Sequence, residues 1–175
     1  MQKIADQRLF SINEGVGNIE YLGVVCVVLV TRKPITRFYV VNIADDSIPY
    51  TGVIGMNNVV DAKNTSGLHL TYLPRYMLST DPEMEHSDAH FEQSFVDGVK
   101  RMFPDFVEHD IVSVHVHRAV KVQPLQVLNY SAMVPSLNTN DPRFHVLNTS
   151  QFVNATLNNN EVIGAVDRFY ESRAA

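Results

Sequence analysis

The chain carries one cysteine among its 175 residues, Cys26. A single thiol makes no internal disulfide, so folding does not depend on an oxidising compartment. Cys26 sits inside the run VVCVVLV, the setting of a small buried hydrophobe. A catalytic thiol needs an exposed, electropositive site instead. Basic residues are in deficit: 14 Lys and Arg stand against 19 Asp and Glu, for a net charge of −5. No run of Lys or Arg interrupts that balance, so nucleic acid is not an expected partner. Long apolar runs are missing too. The longest, Leu22 to Val30, is about half the roughly 20 residues of a membrane helix. The first residues, MQKIADQRLFSINEG, contain no apolar core of a signal peptide. The expectation is a soluble, cytoplasmic protein without a membrane span. Eight Gly and eight Pro exclude collagen-like and low-complexity classes.

Several catalytic signatures are absent. There is no G-x-S-x-G and no G-x-x-x-x-G-K-[ST]. Gly15-Val16-Gly17 begins a G-x-G-x-x-G, but position 20 is Glu. That stretch also precedes a strand, whereas a dinucleotide fingerprint follows a strand and opens a helix. His86 and His90 are four apart, and His115 and His117 two apart. Zinc takes such pairs, but neither lies in an H-E-x-x-H, and no metal site is expected.

What remains is a clear alternation of periods. Residues 1–18 are weakly patterned, and 19–175 read as one domain. Ile19 to Thr31 predicts a strand buried on both faces, with Arg32, Lys33 and Pro34 turning it into a hairpin. Further strands are predicted over 35–43, 50–60 and 68–73, giving an antiparallel meander. Gly52 and Gly55 inside a strand signal a bulge or a close approach. From Ser87 or Asp88 the period becomes helical: Phe91, Phe95, Val96, Val99, Met102 and Phe103 share one face, and Pro104 ends the helix. Residues 110–122 alternate again, with His115 and His117 on one side. A short strand is predicted over 144–147. Asn158 followed by Glu161 has the form of a capping box and opens a last helix, about 158–171. The amide-rich stretch leading into it reads either as an ordinary helix start with Asn caps or as a helix N-terminus that favours an anionic or carbonyl-bearing ligand. The expected class is α+β: a mostly antiparallel mixed sheet with helices on one face.

The succession IEYLGVVCVVLVTRKPITRFYVVNIADDSIPYTGVIGMNNVVD, LHLTYLPRYMLSTDP, FVDGVKRMFPDF and HRAVKVQPLQVLNY resembles the second half of flavin-dependent amine-oxidase-like oxidoreductases. That group includes protoporphyrinogen oxidase and phytoene-desaturase relatives. The resemblance spans residues 18–172 and implies the substrate-binding domain plus the C-terminal return segment, without the principal flavin domain. It implies FAD as cofactor and a flavin-binding domain or chain as partner. In the family the return segment brings a helix N-terminus near the flavin; the matching residues are Asn154, Ala155, Thr156, Leu157 and Asn158. The family often has glycines there, and this chain has none. The flavin carries the hydride chemistry in such enzymes, so no residue is assigned as catalytic. A substrate lying on one sheet face would meet Tyr39, Tyr72, Arg75, His115 and His117. Two other readings accompany this one: a stand-alone module for a small apolar or planar ligand, and a homo-oligomer formed through an uncovered apolar patch.

Overall fold

The computed structural model describes residues 19–134, 136–138, 141–153 and 157–174. The segment 1–18, expected to be weakly structured, lies outside them. Five strands and two helices are formed: β1 (Tyr21–Thr31), β2 (Val40–Asn42), β3 (Gly52–Gly55), β4 (His69–Leu78), α1 (Asp88–Met102), β5 (Ile111–Pro124) and α2 (Asn159–Ala174). This is the α+β class. Leu22–Val122 make one compact unit, and the described residues outside it make a second. No helix among the described residues is long and apolar enough to cross a membrane.

The sheet order is β2-β3-β4-β1-β5. β2, β3 and β4 form the expected meander, but β1 does not pair with β2. It inserts between β4 and β5, antiparallel to β4 from Leu22↔Leu78 to Thr31↔His69. Bonds Arg32 N–H to Asp110 O (2.8 Å) and Leu125 N–H to Glu20 O (2.8 Å) tie opposite ends of β1 and β5, so that pair is antiparallel too. The reason is length and composition. β1 has eleven residues, apolar to both sides, and only a central position covers both its edges and its α1-side face.

Two predicted strands are shorter than expected. Ahead of β2, the Thr36 hydroxyl accepts from Phe38 N–H at 3.1 Å, which makes a turn. The Asn58 amide donates to Phe38 O (3.0 Å), Thr36 O (3.2 Å) and Gly55 O (3.1 Å), locking that turn against the end of β3. Gly55 permits the approach: a Cβ there would stand 2.7 Å from Asn58 Nδ2 and 2.9 Å from Phe38 O. β4 is longer than predicted, because its register with β1 runs straight through Cys26↔Pro74. Residues 144–147 form no strand; His145 makes an isolated bridge with Asn138.

α1 is as predicted. Ser87 caps it by accepting from His90 N–H at 3.2 Å. Its apolar stripe (Phe91, Phe95, Val96, Val99) packs on Val25, Val27 and Leu29 of β1, Val53 of β3, and Leu73 and Met77 of β4. Each such side chain contributes about 1.5–3 kcal/mol on burial. Tyr50 completes this core, 5.3 Å from the Phe95 ring centroid. Its burial pushes the phenol pKa well above the ordinary range. Arg118 of β5 ion-pairs with Asp88, and it donates to His86 O (2.7 Å) and Met84 O (3.2 Å). It thereby holds the turn before α1.

Candidate functional site

Side chains alternate across a strand, so the residues of the Leu22–Val122 unit that do not meet α1 define its other face. On β1 these are Leu22, Val24, Cys26, Val28 and Val30; on β4 they are Leu70, Tyr72, Pro74, Tyr76 and Leu78. Register places them opposite one another as Val30↔Leu70, Val28↔Tyr72, Cys26↔Pro74, Val24↔Tyr76 and Leu22↔Leu78. Ile54 stands on the other side of Tyr72, and Val40 opposite Ile54. The result is a continuous apolar surface with two phenols and no charged side chain on its β1, β3 or β4 positions. Tyr76 and Leu78 remain 47% and 45% exposed. Cys26 belongs to this surface, and burial raises its thiol pKa above the ordinary value. It is a weak nucleophile there, as its sequence setting suggests.

β5 adds a polar edge. Val114 and Val116 pack against the α1-side core, so His115 and His117 project to the other face. Their rings are stacked, with centroids 6.4 Å apart and planes at 17°. The Ser113 hydroxyl lies 3.0 Å from His115 Nε2. Ile111 also packs against the core. It is the first residue of the strand, and its spacing of three from Val114 departs from the strict alternation read from sequence. The histidine pair and Tyr72 are separated by β1, a distance of roughly 10 Å at two strand spacings.

Of the five substrate-side residues expected from sequence, Tyr72, His115 and His117 therefore share a face. Arg75 does not. It is three residues from Tyr72, an odd step, and it projects to the α1 side. There it donates to Pro49 O (3.1 Å) and pairs with Glu83 (2.6 Å). Its work is to hold the 49–50 and 82–85 segments against β4. Tyr39 precedes β2 and is exposed; its carbonyl accepts from Gly55 N–H at 2.8 Å.

The second unit contains the segment expected at a cofactor. Asn154, Ala155 and Thr156 lie outside the described residues. Leu157 is half-buried. Asn158 is the N-cap of α2: its Oδ1 accepts from Glu161 N–H at 2.9 Å, and its carbonyl accepts from Val162 N–H at 3.2 Å. A reciprocal capping box occurs at Asn148 and Gln151, around the short 3-10 turn Thr149–Gln151. This unit also holds an open cavity of about 500 Å³ between α2 and Val134, Leu137, Leu147 and Gln151 to Val153. Sequence reasoning overlooked it. One signal was available: Glu161, Ala165, Arg168 and Phe169 are spaced to share one helical face.

Asn158 itself satisfies the Glu161 N–H, and no glycine-rich turn opens either α1 or α2. Among the described residues, no three His, Cys, Asp or Glu side chains converge as a metal site would need. His86 and His90 stand as a pair, ring centroids 4.3 Å apart.

No protein-family model matches the chain, and no curated protein matches it. Solved structures do. A UDP-galactopyranose mutase in its reduced form superposes with a TM-score of 0.55 at 10% identity, over 68% of this chain and 25% of the mutase. An oxidoreductase from Methanosarcina mazei superposes with a TM-score of 0.54 at 15% identity, over 78% of this chain and 31% of the oxidoreductase. At these identities the likeness is one of fold, and this fold accounts for a third or less of either longer chain.

Proposed function

We propose that this chain is the substrate-binding part of an FAD-dependent, amine-oxidase-like oxidoreductase, with the flavin held by a separate flavin-binding domain or chain. The observation that carries the proposal is the uncharged sheet face of β1, β3 and β4, with Tyr72 at its centre and His115 and His117 along its β5 side. The likeness to part of an oxidoreductase and to part of a mutase described in a reduced state supports it. So does the resemblance in sequence to the second half of flavin amine oxidases.

The chemistry divides accordingly. Bound flavin would supply hydride acceptance. This chain would supply a dry, flat surface on which an apolar or planar substrate lies. The phenol of Tyr72 would meet a polar group at its middle, and the imidazoles of His115 and His117 would orient polar groups at its edge. No flavin step is assigned to residues of this chain. By itself the chain is then inactive as an oxidoreductase.

The test is an amide-resolved NMR titration with 2-naphthol, an uncharged planar probe. The proposal expects saturable shifts at Cys26, Val28, Tyr72, His115 and His117. Shifts confined to the α1 face, or none, would overturn it.

A further inference from the structure

We infer that the cavity beside α2 is a binding site for a small monocarboxylate with an apolar body. This inference is independent of the sheet face. At about 500 Å³, the cavity falls within the roughly 300–1,000 Å³ of small-molecule sites. Its walls are mainly apolar, with Leu137, Leu147, Phe152, Ala165 and Phe169 prominent among them.

Four polar side chains reach the lining, and two of them are already spent. Gln151 accepts from Asn148 N–H (2.7 Å) through Oε1 and donates to Val146 O (3.1 Å) through Nε2. The Ser172 hydroxyl donates to Phe169 O at 2.8 Å. Arg168 and Glu161 remain. Arg168 forms no ion pair with any described residue. Its guanidinium lies back along α2, so that a Cβ on Gly164 would stand 3.3 Å from Nη1. Gly164 thus leaves it room against the cavity mouth. A guanidinium presents paired donors in the geometry a carboxylate accepts.

Glu161 sets the count of charges. It is one helical turn, three residues, from Gly164, against which the Arg168 guanidinium lies. A second carboxylate at that end of the cavity would meet a like charge. One anionic group at Arg168 and an apolar remainder fit the lining; two anionic groups do not. The walls are held in place beforehand. The Phe169 ring packs 5.3 Å from His145 and lies under Arg173. The segment before Phe152 is anchored by the Tyr130 hydroxyl, which donates to Ser150 O at 2.6 Å.

The test is calorimetric titration of the full chain with decanoate below its micelle concentration, paired with amide NMR shifts. One-to-one saturation is expected, with the largest shifts at Phe152, Ala165 and Phe169. Arg168→Gln is expected to weaken decanoate about tenfold, Arg168→Lys to retain most of the affinity, and Arg37→Gln to change nothing. Decanol should bind more weakly and ignore Arg168→Gln. Circular dichroism establishes that each variant is folded. Absence of saturable decanoate binding to the folded wild type overturns the inference. So do unchanged affinity in Arg168→Gln and shifts confined to the β1–β4 face.

Discussion

Gly98→Ala sets two effects of opposite sign against each other on α1. In an exposed helix the exchange stabilises by about 0.8–1 kcal/mol, since Gly is the poorer helix former. Here the new Cβ would stand 2.9 Å from Tyr50 Cε1, 3.0 Å from Pro49 Cδ and 3.2 Å from the Tyr50 hydroxyl. Tyr50 cannot step aside cheaply. It is 2% exposed, its ring meets Phe95, and its hydroxyl is 3.5 Å from the Met102 sulfur. Overpacking a core of this kind costs about 1–3 kcal/mol. The packing cost wins, and a net loss of about 1 kcal/mol is expected, up to about 2. Gly164→Ala on α2 is the matched control. Its Cβ meets only the mobile end of Arg168, so a gain of about 0.5–1 kcal/mol is expected. Urea unfolding with an unchanged slope measures both. A Gly98→Ala variant as stable as the wild type would refute the packing of Tyr50 against α1.

Other predictions concern single groups. Cys26 should react slowly with Ellman's reagent at pH 8 in the folded chain and rapidly in urea, because burial raises its pKa; equal rates would contradict its placement in the sheet. Asp141 is held at a pKa of about 2 by hydrogen bonds from the Arg143 side chain and backbone. Its folded value lies below its unfolded one, so the stabilising contribution is present above about pH 4 and lost as pH falls toward 2. Carboxyl NMR titration checks this, and Arg143→Gln should move the midpoint upward. Tyr130→Phe leaves the buried Ser150 carbonyl without its 2.6 Å donor and should cost about 1–2 kcal/mol in urea unfolding. Tyr76→Ser with Leu78→Ser should reduce any self-association seen by light scattering, since both expose apolar surface on the face away from α1; an unchanged mass would place the contact elsewhere.

Much of this was legible in the residues. Ser87 and the Phe91–Phe95–Val99 stripe specify α1 by capping and period alone. The β-branched run of β1 marks a central strand. Its partner was not legible, because Arg32-Lys33-Pro34 looks like a hairpin turn while pairing is decided by which neighbour buries the long apolar edge. Pro74 hid the second half of β4, since proline ordinarily ends such a strand. At the site, parity alone separates Tyr72 from Arg75, and the ion pair to Glu83 needed coordinates. The α2 cavity depends on how residues 134–153 fold back, which no local period encodes.

The division of labour between this chain and a flavin-binding part is tested most directly by titrating the purified full chain with FAD. Flavin fluorescence and visible absorbance are the readouts. The division predicts that FAD stays free, with its fluorescence unquenched at any protein concentration. Stoichiometric, saturable quenching by this chain alone would contradict it.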